Sequence, residues 1–171
     1  MMKVSMKDGS VQDLKFEDEA GRGAFRHTAA HILAQAVKRL YPGTKCAIGP
    51  SIDNGFYYDF EFDFNFTADL LPQVEAEMRK IVKEGLQLRR FELDRGKALE
   101  LMEQKGETYK LKLIRDLPED ASLSFYEQGE YVDLCAGPHV SNTSLIKAFK
   151  LTSVAGAYWR GSEKNKMLTR I

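Results

Sequence analysis

The chain has 171 residues, of which 43% are hydrophobic, and its 25 basic and 25 acidic side chains give a formal net charge of zero. This length supports one domain with a sizeable core, or two small lobes that share one. Zero net charge excludes a general attraction to nucleic acid, so an RNA partner must bind a local basic surface. No apolar run approaches the roughly 20 residues that span a bilayer, and the N-terminus has no signal-peptide core. The sequence therefore predicts a soluble, cytoplasmic protein without membrane contacts.

The first 43 residues predict a hairpin and a helix. Residues 1–16 alternate around the turn Asp8-Gly9 and predict a short β-hairpin. A charged, glycine-containing linker is expected over 18–23. The recurrence of apolar residues then predicts a helix from Ala24 to Tyr41, which Pro42-Gly43 ends.

Residues 45–66 predict a second hairpin whose turn is Asp53-Asn54-Gly55. Its second strand is expected to run from Tyr58 to Phe66, because aromatic and polar residues alternate throughout that stretch. An amphipathic helix that ends at Gly85 should follow. The apolar face of that helix carries Leu71, Val74, Met78 and Ile81.

The second half of the chain predicts short strands and two short helices. Asp94 is expected to cap a helix that reaches Lys105, and a further helix is expected over 107–115. The predicted strands cover 86–93, 121–126, 130–134, 148–151, 157–159 and 167–171. Strands and helices without a regular βαβ rhythm predict an α+β fold, in which a mixed, mainly antiparallel sheet packs against helices.

Three histidines and one cysteine fall into two short motifs. His27 and His31 are four residues apart, so they share a face of the predicted helix, away from its apolar stripe. Cys135 and His139 lie on a predicted loop, because Gly137-Pro138 excludes a helix. If that loop folds over the helix, the four side chains converge. They would then bind zinc, or act without a metal as bases and hydrogen-bond partners around a hydrolytic water.

Other signals narrow the class of protein. The sequence lacks HExxH, G-x-S-x-G, P-loop and G-x-G-x-x-G motifs, which argues against a zinc protease, a serine hydrolase, a P-loop kinase and a Rossmann dehydrogenase. Two cysteines, Cys46 and Cys135, in a chain without a signal peptide are usually reduced, although the sequence does not exclude a disulfide.

Two basic clusters are candidate phosphate-binding surfaces or, equally, solvated charged faces. The segment 46–78 has seven acidic residues and no lysine or arginine, so we expect it to face away from RNA. The first cluster contains Arg79, Lys80, Lys83, Arg89 and Arg90, and the second contains Arg160, Lys164, Lys166 and Arg170.

Longer stretches carry a specific resemblance. The segment RHTAAHILAQAVK at 26–38 resembles the opening helix of the editing domain of bacterial threonyl-tRNA synthetases. Further matching segments follow in the same order: AIGP at 47–50, DNGFYYD at 53–59, YVDLCAGPH at 131–139 and AGAYWRG at 155–161. The resemblance covers nearly the whole chain and is far more specific than either histidine motif.

The resemblance implies the editing-domain fold shared by threonyl- and alanyl-tRNA synthetases. It also implies hydrolysis of seryl-tRNA(Thr), with the serine-charged tRNA 3′ end as the partner. Residues 1–20 would be a hairpin remaining from a ubiquitin-like domain and a linker, and residues 21–171 the editing domain. No synthetase core is recognisable. The chain is therefore expected to be a free-standing editor or a fragment that works with the rest of the synthetase and dimerises through the missing core.

The resemblance also assigns the site residues. Matched positions give catalytic roles to His27, His31, Lys110, Cys135 and His139, and substrate contacts to Tyr58 and Asp133. No cofactor is required by this assignment. The related alanyl editing proteins hold zinc with the same three histidines and cysteine, so zinc remains possible. From spacing alone, Lys110 is a solvated helix lysine, Asp133 a strand-end cap and Tyr58 a core aromatic.

There is a physical reason for the implied hydrolysis of seryl-tRNA(Thr). Serine and threonine differ by one methyl group, which a pocket can use for only about 1–3 kcal/mol of discrimination. A second site that accepts the smaller amino acid corrects the resulting errors. We expect His27 and Lys110 to position and deprotonate the water, and Asp133 to hold the seryl group. The alternatives are a zinc-dependent trans-editor of alanyl-tRNA and a non-catalytic tRNA-binding module.

Overall fold

Helix α1 (Glu19–Leu40) runs through the core of the molecule. The computed structural model describes residues 1–171 and buries every residue of this helix from Thr28 to Val37. Alanine occupies many of these positions, and its small side chain lets neighbouring elements approach the helix closely. None of the helices is long and apolar enough to cross a membrane.

The linker predicted over 18–23 is wrong, because α1 begins at Glu19 rather than Ala24. Acidic residues favour a helix N-terminus, and Glu19 lies in the first turn. Gly21 permits a close approach that sequence periodicity does not reveal: a Cβ atom there would lie 2.0 Å from the carbonyl oxygen of Lys15. The preceding hairpin therefore packs directly against the start of the helix.

The remaining helices follow the sequence prediction closely. They are α2 (Leu71–Glu84), α3 (Arg95–Gln104) and α4 (Thr108–Asp116). The predicted apolar face of α2 is buried, and Gly85 ends that helix with a left-handed φ of 62°. Asp94 caps α3, since its carboxylate accepts a 2.8 Å hydrogen bond from the backbone N–H of Lys97.

Twelve short strands form four antiparallel sheets around the helices. One sheet has the order β10–β1–β2, from β1 (Met2–Ser5), β2 (Val11–Leu14) and β10 (His139–Val140). A second has the order β11–β12–β6–β3, from β3 (Lys45–Cys46), β6 (Asp59–Glu61), β11 (Ala155–Tyr158) and β12 (Met167–Arg170). The others are the hairpin β4 (Ser51–Ile52) with β5 (Gly55–Phe56), and β7 (Arg89–Leu93) with β8 (Leu123–Gln128) and β9 (Tyr131–Leu134). The α+β class is thus confirmed, and the predicted sheet is divided into four.

The long strand predicted from Tyr58 to Phe66 is wrong, because only Asp59–Glu61 is a strand. Beyond it the aromatic side chains pack around Tyr41 at the end of α1 instead of alternating across a sheet. The ring centroid of Phe64 lies 5.0 Å from that of Tyr41. Alternation of aromatic and polar residues here reflects an aromatic cluster and not a continuous strand.

No strand forms at 148–151, also contrary to prediction. A buried carboxylate supplies the hydrogen bond that a neighbouring strand would have given. Oε1 of Glu75, on α2, accepts a 2.8 Å hydrogen bond from the backbone N–H of Leu151. This contact attaches the segment around Leu151 to α2.

The Glu75 contact makes a stability prediction. Glu75→Ala leaves the buried N–H of Leu151 without its acceptor, which should lower the free energy of unfolding by about 1–3 kcal/mol. Glu77→Ala is the matched control on the same helix, since it removes only ion pairs with Arg39 and Lys80 and should cost less than about 1 kcal/mol. Urea denaturation measures both, and equal losses would contradict the role given to Glu75.

Candidate functional site

The loop after β9 folds over α1 and brings four side chains together. The possible ligand atoms of His27, His31, Cys135 and His139 all lie within 4.8 Å of one another. Sγ of Cys135 lies 3.3 Å from Nε2 of His27 and 3.2 Å from Nε2 of His139. The spatial arrangement that the two motifs require is therefore present.

Glycine is needed in this loop for two reasons. Gly137 has a φ of 83°, which other residues rarely adopt. A Cβ atom there would also lie 2.5 Å from the hydroxyl of Tyr126. With no side chain in the way, the N–H of Gly137 donates to Sγ of Cys135 at 3.2 Å. The turn thus fixes the thiol above the helix.

Each imidazole has one nitrogen held by a partner at the edge of the cluster. Nδ1 of His139 contacts Oγ1 of Thr28 at 2.9 Å, and Nδ1 of His27 contacts the carbonyl oxygen of Pro138 at 3.3 Å. The Thr28 hydroxyl donates to the carbonyl oxygen of Ala24, so we assign the proton in the first contact to Nδ1 of His139. Nε2 of His139 is then left as an acceptor towards the thiol.

His31 completes this pattern on the buried side. Its Nε2 lies 3.2 Å from Oδ2 of Asp133. Its Nδ1 is buried and has no hydrogen-bond partner, which is rare for a buried polar atom. All three imidazoles therefore keep one nitrogen available to a metal, a water or a substrate.

Asp133 is the centre of a second group of contacts. Its carboxylate pairs with Nζ of Lys110 at 2.8 Å and accepts hydrogen bonds from the hydroxyls of Tyr58 at 2.7 Å and Tyr131 at 3.0 Å. Lys110 is only 4% exposed, so it is not a solvated helix lysine. Tyr58 has a buried ring and a hydroxyl directed at the site, and Asp133 does not act as a strand-end cap.

Sequence reasoning missed two of these residues. Tyr131 follows from strand geometry, because alternate residues of a strand share a face and Tyr131 and Asp133 are two apart on β9. Thr28 lies next to His27 on α1 but turns towards His139, and no sequence motif indicates this contact. Both residues fix groups of the site in place.

Burial sets the charge of the cluster. It lowers the pKa of His27, and with the neighbouring imidazoles it holds the pKa values of His31 and His139 well below the usual 6.5. Burial likewise raises the pKa of the Cys135 thiol to about 12. At neutral pH the cluster thus contains three uncharged imidazoles and a protonated thiol, and Cys135 is a poor nucleophile.

The site opens to solvent at one side only. His31 and His139 are buried, whereas His27 and Cys135 are partly exposed and form the mouth. The larger cavities lie elsewhere, such as one of about 440 Å³ bordered by Tyr57 and Arg170. A smaller one of about 300 Å³ lies between the C-terminal half of α1 and Tyr131. A substrate must therefore approach the cluster past His27 and Cys135.

The two predicted basic clusters are largely neutralised by acidic neighbours. Arg79 pairs with Glu75 at 2.9 Å, and Lys166 pairs with Glu61 at 3.0 Å. Lys83 and Lys164 make no such pair. The other members of the clusters pair as Lys80 with Glu77, Arg89 with Glu127, Arg90 with Glu92, Arg160 with Asp116 and Arg170 with Asp59. Both cysteines are free, as predicted.

Comparison with known proteins defines the class first. Residues 123–171, which contain Asp133, Cys135 and His139, match the family described as the threonyl and alanyl tRNA synthetase second additional domain. Three of the site residues thus lie in a segment that matches a domain of threonyl and alanyl tRNA synthetases.

Similarity over nearly the whole of this chain then gives the family. The chain is 64% identical over 165 residues to a threonine–tRNA ligase of Clostridium acetobutylicum, covering 96% of this chain and 26% of that protein. It is 63% identical over 171 residues to one of Clostridium botulinum strain Langeland and 60% identical over 171 to one of Clostridium tetani, covering 100% of this chain and 27% of each protein. The chain therefore belongs to the threonyl-tRNA synthetase family and spans about a quarter of the length of these relatives.

The buried imidazoles make stability depend on pH. In the unfolded chain they bind protons near their usual pKa of 6.5, whereas in the folded chain the lowered pKa values of His31 and His139 prevent this. The unfolded state takes up more protons as the pH falls, so the free energy of unfolding should decrease from about pH 7 to about pH 5.5.

Urea midpoints measured in EDTA at several pH values within that range test this expectation. His31→Asn removes one of the two most perturbed imidazoles, so its loss of stability across the range should be shallower. Parallel pH curves for the two proteins would contradict the assignment.

Proposed function

We propose that this chain hydrolyses the ester bond between a wrongly attached amino acid and the 3′ end of tRNA, and that its substrate is seryl-tRNA(Thr). The observation that carries the proposal is that three uncharged imidazoles lie together and that one of them, His31, contacts the buried Lys110–Asp133 pair. General-base hydrolysis needs a neutral base beside a fixed charge. Membership of the threonyl-tRNA synthetase family gives the substrate class.

His27 is the residue we assign as the base. It lies at the mouth, where water enters, and its lowered pKa keeps it neutral at physiological pH. Nζ of Lys110 is engaged by a carboxylate 2.8 Å away, so we assign it electrostatic support of the reaction and not removal of the proton. In the reaction the water oxygen attacks the ester carbon and His27 takes a proton. The ester C–O bond then breaks, and the leaving ribose oxygen receives the proton that His27 took from the water.

One carboxylate oxygen of Asp133 has hydrogen-bonding capacity left. Its Oδ2 is used by the hydroxyls of Tyr58 and Tyr131 and by Nε2 of His31, whereas Oδ1 contacts only Nζ of Lys110. Because a carboxylate offers about four acceptor positions, we assign to Oδ1 a further bond from the ammonium or hydroxyl of serine. The extra methyl of threonine would have to fit beside that contact, which is how the site would exclude the correct product.

A second candidate is zinc-dependent editing of alanyl-tRNA. The donor set fits zinc, because Nδ1 of His31 is buried without a partner and each imidazole has its other nitrogen held, as in metal sites. His27, His31, Cys135 and His139 would hold the ion. With three of these four residues as ligands, zinc would keep its fourth position for a water and would lower the pKa of that water.

A deacylation assay tests the proposal. We expect release of serine from Ser-tRNA(Thr) and little release from Thr-tRNA(Thr) or Ala-tRNA(Ala). His27→Ala should lower kcat/KM for Ser-tRNA(Thr) by about 100-fold or more. Lys83→Ala, which removes an exposed lysine that makes no ion pair, is the control and should leave the rate unchanged.

The outcomes separate the candidates. Stoichiometric zinc in the purified protein together with a preference for Ala-tRNA(Ala) would favour the zinc-dependent alternative. Binding of tRNA with no deacylation, unaffected by His27→Ala, would favour a non-catalytic tRNA-binding module.

A further inference from the structure

The N-terminal hairpin is joined to the strand that carries His139. In the β10–β1–β2 sheet, Ser5 lies opposite His139 and Val4 lies opposite Val140. The N–H of Ser141 donates to the carbonyl oxygen of Lys3 at 2.9 Å. β1 is the only strand that pairs with β10, so the hairpin supplies backbone hydrogen bonds around His139. Other bonds come from outside the hairpin, since the N–H of Val140 donates to Oγ1 of Thr28 and the carbonyl oxygen of Ser141 accepts from Leu88.

Tyr126, on β8, connects the hairpin with the loop. Its hydroxyl contacts Ser5 twice, at 3.3 Å from the carbonyl oxygen and 3.2 Å from Oγ. Its ring centroid lies 4.4 Å from that of His139, and its hydroxyl fills the space above Gly137. Tyr126 is 1% exposed, so its position is fixed by these neighbours.

The turn of the hairpin is held separately. Arg90, on β7, donates from Nη2 to the carbonyl oxygen of Lys7 at 3.3 Å. Val4, on β1, is fully buried in the main core. The hairpin therefore has three attachments, in the core, at the loop and at β7, and it cannot shift without moving the loop.

We propose that residues 1–16 are a working part of the hydrolytic site, and that Tyr126 is the positioning residue through which the hairpin orients His139. This inference rests on the proposed function. Hydrolytic geometry is lost when a group moves by about 1 Å. The two-residue strand β10 has no other strand to hold it at that precision. The hairpin supplies the missing partner, and Tyr126 sets the imidazole against it.

Removing the hairpin is the obvious experiment, but it also removes Val4 from the core, so a loss of stability would be mixed with a loss of activity. Tyr126→Phe in the full chain avoids this, because it keeps the ring against His139 and removes only the hydroxyl. We expect kcat for Ser-tRNA(Thr) to fall by about 3- to 10-fold, the effect of one hydrogen bond, with KM unchanged within about twofold. Ser5→Ala should have a smaller effect of the same kind, since the carbonyl oxygen of Ser5 remains.

A double variant that combines Tyr126→Phe with Ser5→Ala is the sharpest test of the contact. If Tyr126 and Ser5 act through one hydrogen bond, the double variant should have the same kcat as Tyr126→Phe alone. Ser10→Ala is the matched control, because the exposed hydroxyl of this serine bonds only to Asp8 and reaches neither Tyr126 nor the loop, so kcat should be unchanged. Multiplicative losses in the double variant, or an equal loss in Ser10→Ala, would overturn the inference.

A spectroscopic measurement separates this inference from the proposed function. The chain has only three histidines, so a long-range ¹H–¹⁵N spectrum resolves each imidazole. Tyr126→Phe should shift the His139 signals and leave the backbone spectrum of α2 unchanged, whether or not the protein deacylates tRNA. Unchanged His139 signals would overturn the positioning role even in an active enzyme. Absence of activity with shifted signals would instead overturn the proposed function.

Discussion

The buried carboxylate of Asp133 is the interaction on which the site depends. It ties together four parts of the chain: α4 through Lys110, α1 through His31, β9 through Tyr131 and the segment before β6 through Tyr58. A buried ion pair contributes little net stability, because desolvation of both charges offsets their attraction. Its value here is that every donor must point at one oxygen or the other. The carboxylate thereby fixes where the elements meet.

This arrangement also explains how charge is distributed across the site. Lys110 and Asp133 balance one another, so the imidazoles beside them need not carry charge to satisfy a neighbour. Burial then dominates, and it lowers the pKa of all three histidines. The Lys110–Asp133 ion pair and a group of neutral, proton-accepting imidazoles thus lie side by side. That combination suits an ester already activated for attack, which needs a base and charge stabilisation but no strong nucleophile.

The sequence predicted those features that are local. The face and glycine end of α2, the Asp94 cap and the loop at Gly137 each depend on neighbouring residues, and all are present. Features set by distant contacts were missed. The Tyr58 to Phe66 stretch has the period of a strand, yet its aromatic rings pack on the end of α1. The roles of the site residues came from resemblance, since spacing alone favoured the wrong environment for Lys110.

The N-terminal hairpin shows why local sequence patterns do not predict the contacts around the site. Its alternation correctly predicts two strands around Asp8-Gly9, but nothing in residues 1–16 indicates that β1 pairs with a two-residue strand more than a hundred residues away. That pairing is determined by residues of the loop and of β10, outside the hairpin. Gly137 leaves the space that the Tyr126 hydroxyl fills, and Val140 meets Val4 in the core. The hairpin and the loop therefore stabilise each other: the loop positions Tyr126 and Val140 for contact with the hairpin, and the hairpin pairs with the strand that carries His139. An element that sequence alone describes as an appendage is therefore part of the wall around His139.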